Sequence, residues 1–198
     1  SEMAIEIAER SGTFLMTHIS NPPIPMSEWL GMLRPGDIVT HSFTTGENNI
    51  FGGENRVIPA AWEARERGVV FDLGHGAGSF ELARARAALD QGFHPDTIST
   101  DLHVRNINGP VYDMPTTMGK MLDLGMTLND VIRGSTSEAA RAIGMDDSIG
   151  SLEIGREADI AVLAAEERPV KYVDSYGNAW TGNHTIHAVH TIRAGEVL

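Results

Sequence analysis

Four short apolar runs, TFLMTH, GDIVTH, VVFDLGH and DTISTDLH, each come out into a polar loop on an ionisable residue. Those residues are His18, His41, His75 and Asp101. The runs are rich in β-branched residues and do not alternate apolar with polar, which is the pattern of parallel strands buried on both faces. The ionisable residues recur after 23 positions (18 to 41), 34 (41 to 75) and 26 (75 to 101). A βαβ unit takes ~30 residues, so each interval holds one repeat of a parallel α/β fold.

The stretches between the runs read as helices. Met3, Ile5, Ile7 and Ala8 lie on a short helical pattern that Gly12 ends. Ser27 is placed to cap a helix running through Leu33, and IPAAWEARERG and SFELARARAALDQG continue the beat. Beyond His103 the pattern changes. Asp113 and Pro115 mark a helix start with Met118, Met121 and Leu122 on one face, and TLNDVIRGST and SEAARAIG predict two more short helices. From Ile149 the chain turns β, in three short strands broken by glycine turns such as Tyr176-Gly177-Asn178. The expected boundary separates residues 1–148 from 149–198. It is a shift of composition and not a linker, so the two parts are expected to pack together.

Composition removes several function classes. The net charge of −12, from 15 basic and 27 acidic residues, argues against nucleic acid and anionic membranes as partners. No apolar run approaches the roughly 20 residues that cross a bilayer, and the acidic, amphipathic SEMAIEIAER is unlike a signal peptide. The absence of cysteine excludes thiolate metal sites and fits a reducing, cytoplasmic setting.

Parallel α/β folds keep reactive groups at the carboxyl ends of their strands. One histidine there is more often structural than a ligand; four ionisable groups in succession are harder to dismiss. Imidazole and carboxylate are the ligand set of zinc and similar divalent ions. Such an ion brings water to a pKa of ~7, and a carboxylate beside it can carry the proton to a leaving group. Asp101 would have that task, with His18 and His41 as ligands. His75 could meet substrate or hydrogen-bond the glycine-rich loop, and His103, two residues beyond Asp101 and on its side of an extended strand, could touch substrate or shape its loop. Arg105 could anchor a substrate carboxylate bidentately or sit in a surface salt bridge. Gly74, Gly76 and Gly78 lack the lysine of a phosphate loop and read as a close backbone approach to a ligand or simply a tight turn. Among His184, His187 and His190, the pair His187 and His190 would face opposite sides of a strand, a poor metal geometry.

The segments MTHISNPP, GDIVTHSF, FDLGHGAGSF, TISTDLHVRNINGPVYDMPTTMGKML and IGSLEIGREADIAVL together resemble the amidohydrolase superfamily, in its dihydroorotase-like deacetylase branch. The resemblance implies a (β/α)8 TIM-type barrel beside a small β-sandwich, with one or two divalent metals, zinc foremost, at the strand ends. It would put His18 and His41 on strands 5 and 6 as ligands of the second metal. Asp101, ending strand 8, would bind the first metal and shuttle the proton. Residues 149–198 would be part of the sandwich. The family pattern also has a His-x-His pair on strand 1 and a carboxylated lysine on strand 4. Here there is no His-x-His, and the only lysines, Lys120 and Lys171, fall in a predicted helix and the C-terminal β region. A whole barrel takes ~250 residues. The expectation is therefore a carboxyl-terminal half, which would bind metal weakly, in altered geometry or not at all because at least three family ligands are absent, with open strand edges that call for a complementary half-barrel or a homo-oligomer.

The expected function is hydrolysis of a C–N bond in a small amide or cyclic amide by metal-activated hydroxide. The alternative is a catalytically incomplete half-barrel that acts as a binding or assembly partner. A metal-dependent aldolase or lyase is a third option, opposed by the sandwich segment.

Overall fold

A computed structural model describes residues 2–19 and 21–198. Helix α1 (Glu2–Ser11) ends at Gly12, whose φ of +65° takes the left-handed turn that glycine adopts without strain. Three parallel strands follow in spatial order: β1 (Met16–His18), β2 (Ile38–Thr40) and β3 (Val70–Phe71). Their register pairs His18 with Thr40, and Val39 with Phe71. Helices α2 (Met26–Met32), α3 (Pro59–Glu66) and α4 (Leu82–Asp90) join them. Val39, Phe71, Leu73 and Phe93 are fully buried in the core between sheet and helices. At one end of that core Phe93 stands edge-on to both Trp62 and Phe71 at 4.9 Å, with the Arg65 guanidinium 3.8 Å above its ring.

In this part of the chain two sequence expectations need correcting. Ser27 lies inside α2 and caps nothing; Pro25 is the boundary residue, and the Met26 N–H donates to the Asn48 side chain at 2.7 Å. The fourth run does not form a full strand. It follows β3 through a single parallel bridge, Asp72 with Thr97, extended by bonds from the Leu73, His75 and Gly76 N–H groups to the carbonyls of Thr97, Ser99 and Thr100 at 3.0–3.1 Å. Its other side is taken by helix α6 (Leu128–Ser135), where the Gly134 carbonyl accepts the Ile98 N–H at 2.9 Å. A side chain at Gly134 would come within 3.3 Å of Ile98, so glycine is what lets the helix approach. That edge is thus covered, while β1 is an edge strand among the described residues.

Helix α5 (Met114–Asp123) starts as the sequence implied, with the Asp113 carboxylate accepting the Thr116 N–H at 2.6 Å. Helix α7 (Ser137–Ala142) follows α6. The C-terminal region is not a set of short strands. It is one long antiparallel hairpin, β4 (Ile160–Val173) and β5 (Ala179–Arg193), with a short β6 (Glu196–Val197). Pairing slips between Glu167 and Val170 and then resumes, because Pro169 has no N–H to give the ladder. Gly182 continues β5 where it crosses Asp123, and a Cβ there would lie 2.7 Å from that carboxylate. Asp123 in turn accepts Trp180 Nε1–H at 2.9 Å and the Asn183 N–H at 2.7 Å, which docks the hairpin on α5.

Two carboxylates link distant segments. Asp37 is buried and accepts from the Arg34 guanidinium and the Leu15 N–H at 2.8 Å. Asp174, at the hairpin tip, accepts the Leu82 N–H at 2.9 Å. Burial pushes both pKa values up, but these hydrogen bonds outweigh it and hold both below the ordinary value. A carboxylate depressed in the folded state contributes stability that is present above its unfolded pKa, ~4, and is lost as pH falls through the folded value. Thermal melting from about pH 6 to about pH 3 should therefore show a falling midpoint, with Asp37→Asn and Asp174→Asn each less stable at the higher pH and less sensitive to acid. Unchanged slopes in both variants would remove these groups as the cause.

Candidate active site

The carboxyl ends of the strands form a rim. His18 is the last residue of β1, exposed at the edge. His41 follows β2 directly and is buried, with φ +67°. Asp101 closes the fourth run, exposed, with φ +47°. Left-handed backbone at residues other than glycine costs free energy and gathers at functional sites.

The His18 and His41 rings meet edge to face, with centroids 4.4 Å apart. His41 Nδ1 lies 2.6 Å from the Gly74 carbonyl. A carbonyl can only accept, so Nδ1 donates, which in the neutral ring leaves the lone pair on Nε2, the arrangement typical of a metal-ligating histidine. Burial, and next the neighbouring His41, lower the pKa of His18 against the opposing pull of Asp101. The neutral, ligand-competent imidazole is favoured.

The Gly74–Gly78 loop runs between these groups. A Cβ on Gly74 would lie 2.2 Å from Thr40 Oγ1 and 2.8 Å from His41 Nδ1; one on Gly76 would lie 3.0 Å from Asp101 Oδ2. The glycines thus pack closely against the side chains of Thr40, His41 and Asp101. Asn106, fully buried, donates from Nδ2 to the Asp101 carbonyl at 2.9 Å and accepts the His103 N–H at 2.8 Å, so it holds the turn after Asp101.

Beneath the rim lies a residue that motif reading passed over. Asp72 is buried, and its carboxylate accepts hydroxyls from Thr40 (2.6 Å), Ser99 (2.7 Å) and Thr97 (2.7 Å). It ties β2, β3 and the fourth run together just below His41 and Asp101. The available signal was a carboxylate inside an apolar run, with hydroxyls at matching depth in the neighbouring runs.

The other candidates are placed differently. His75 is fully buried, stacked 4.6 Å from Phe80. Its Nδ1–H donates to the Gly76 carbonyl at 3.0 Å, and its Nε2 accepts from Lys120 Nζ at 2.8 Å. Lys120, on α5, also donates to the carbonyls of Pro110 (2.7 Å) and Val173 (2.8 Å). Burial lowers Lys120 to about 7 and, with the Lys120 charge next in size, His75 to about 3. This node joins the loop, α5 and the end of β4, and it takes up both ring nitrogens of His75. His103 Nδ1 accepts the Arg105 N–H at 3.1 Å within its own loop, and Arg105 is exposed. His184 sits 3.5 Å from Asp123 on the hairpin, away from the rim.

The donor chemistry fits a divalent ion in kind: two imidazoles in contact, one with a defined free nitrogen, and a carboxylate whose charge reaches His18. It does not amount to a full ligand set. Among the described residues no group of three His, Asp or Glu converges closely enough to hold an ion.

The profile of the amidohydrolase family matches residues 75–192. A protein of Enterococcus faecalis named deacetylase is 35% identical over 99% of this chain and 54% of its own length. A deacetylase of Agrobacterium fabrum is 34% identical over 83% of this chain and 40% of its own. Among solved structures, an adenine deaminase superposes on the whole chain with a TM-score of 0.94 at 34% identity, and a dihydroorotase with 0.87 at 31%. The chain spans about half the length of these relatives.

Proposed function

The chain belongs to the amidohydrolase family, and from that premise we propose that it contributes His18, His41 and Asp101 to a divalent-metal site hydrolysing the C–N bond of a small amide or cyclic amide. The observation that carries this is the His18–His41 ring contact at 4.4 Å, with the His41 tautomer set by the Gly74 carbonyl. In this reading residues 1–148 form the strand 5–8 half of a (β/α)8 barrel, and 149–198 part of a sandwich. His18 and His41 would hold the ion, zinc by its preference for imidazole and carboxylate. When bound, the ion supplies acidified water and a polarised carbonyl. Asp101 takes the proton of the attacking water and delivers it to the leaving nitrogen. His103 and Arg105, on the loop that follows, are the substrate-facing candidates; His75 holds the glycine loop from beneath.

Zinc analysis of the purified protein tests the reading. The expected result is weak zinc binding by the wild type, because the ligand set among the described residues is incomplete, and its loss in His41→Ala. Full zinc retention in both His18→Ala and His41→Ala would overturn it.

A second reading, an incomplete half that works by assembling with a complementary half-barrel or a second copy, has its own support. β1 is an edge strand among the described residues, and Met3, Ile7, Phe14 and Met16 on and before it are 41–73% exposed. An apolar cleft of about 740 Å³ lined by Met118, Ile132, Ile143 and Leu163 also lies between the helices and the hairpin. Sedimentation giving a monomer at high concentration would count against self-association.

A further inference from the structure

The tip of the β4–β5 hairpin is built into the rim from behind. Ser175 Oγ donates to the Gly76 carbonyl at 2.9 Å, with the His75 carbonyl at 3.3 Å, and accepts the Phe80 N–H at 3.3 Å. The Ser175 N–H donates to the Phe80 carbonyl at 2.9 Å. Tyr176 hydroxyl donates to the Gly78 carbonyl and accepts the Thr45 N–H at 3.1 Å. The tip is itself rigid, because Asp174 Oδ1 accepts the N–H groups of Tyr176 and Asn178 at 2.8 and 2.9 Å. Lys120 fixes its root through the Val173 carbonyl.

What the tip grips is a segment that touches both His41 and Asp101. On its far face the Gly74–Gly78 loop presents the Gly74 carbonyl to His41 Nδ1 and brings Gly76 against Asp101. A shift of the loop therefore moves the acceptor that sets the His41 tautomer and the surface on which Asp101 rests. We propose that Ser175 and Tyr176 are positioning residues for the site: the hairpin tip holds the Gly74–Gly78 loop where its Gly74 carbonyl meets His41 Nδ1 and Gly76 lies against Asp101. This rests on the metal-site reading above. It assigns the C-terminal hairpin a part in the chemistry, although none of its side chains reaches the rim residues directly.

The test uses Co²⁺ as a spectroscopic substitute for zinc, added to the purified wild type, Ser175→Ala, Ser175→Thr and Tyr176→Phe. The readouts are the Co²⁺ dissociation constant, the visible absorption bands that report coordination geometry, and hydrogen exchange across residues 74–80. Ser175→Ala is expected to weaken Co²⁺ about tenfold, the lower end for a lost supporting partner, with altered bands and faster exchange at His75 and Gly76. Ser175→Thr keeps a hydroxyl and is expected to restore most of the affinity. Tyr176→Phe should give a smaller change in the same direction, and as a near-surface loss of one hydroxyl it keeps the test open if Ser175→Ala fails to fold. Variants that melt earlier yet bind Co²⁺ with wild-type affinity and bands would overturn the positioning role while leaving the metal site standing. A wild type that takes up no Co²⁺ would instead remove the metal-site reading, and this inference with it.

Discussion

Under the proposed function, Asp101→Asn is expected to lower kcat for amide hydrolysis by roughly 10²–10⁴-fold, the range carried by a positioned proton-transfer group. Asparagine has nearly the same shape and, like aspartate, accepts left-handed backbone, so the φ of +47° at this position is retained. The Asn106 bond to the residue 101 carbonyl involves only the main chain and survives. What is lost is the carboxylate charge proposed to face the ion and, with it, the capacity to take a proton. The measurement is acetate release from a panel of N-acetyl amino acids by the zinc-loaded protein, with circular dichroism to show that the fold persists. A variant with wild-type kcat on any panel member hydrolysed by the wild type would sink the assignment of Asp101.

Gly74→Ala is expected to damage stability and site together. The added methyl would stand 2.2 Å from Thr40 Oγ1, 2.8 Å from His41 Nδ1 and 2.9 Å from the His41 N, on a backbone with φ +50°. Main-chain atoms cannot yield as a flexible side chain does. Backbone strain of ~1–3 kcal/mol and overpacking of a similar size sum to about 3 kcal/mol or more. Relief would push His41 off its carbonyl acceptor, so zinc content should fall with the melting midpoint. Gly78, in the same loop, has nothing within 4 Å of its Cβ position and no positive φ. Gly78→Ala should then stay within about 0.5 kcal/mol of wild type, as surface substitutions do. Equal effects from the two variants would show that the loop is merely soft and that the close approach at Gly74 carries no special constraint.

The strands and the rim were legible for the same reason. Apolar β-branched runs of this length and spacing have few parallel arrangements open to them, and their carboxyl ends must share one side of the sheet. The start of α5 at Asp113 was legible because a cap acts within four residues. The misses concern partners far apart in the chain. Ser27 has cap chemistry, but the Met26 N–H, at the head of α2, is met by Asn48, 22 positions away. The fourth run has strand composition, but α6 supplies its outer partner through Gly134. The glycines in and beside the hairpin looked like strand breaks, yet Gly182 continues its strand to admit Asp123.

By itself the sequence determined that ionisable groups arrive one after another at the ends of parallel strands, since apolar periodicity and repeat length set strand direction and spacing. It also determined the chemistry on offer, which is imidazole and carboxylate with no thiolate. Only the tertiary structure decided which groups stay at the rim. His18, His41 and Asp101 do, while His75, in an equivalent position in its run, turns inward to Phe80 and Lys120. The physical reason is that a buried polar group goes where its hydrogen bonds can be satisfied. For His75 that partner is a lysine 45 residues away, which no local pattern announces.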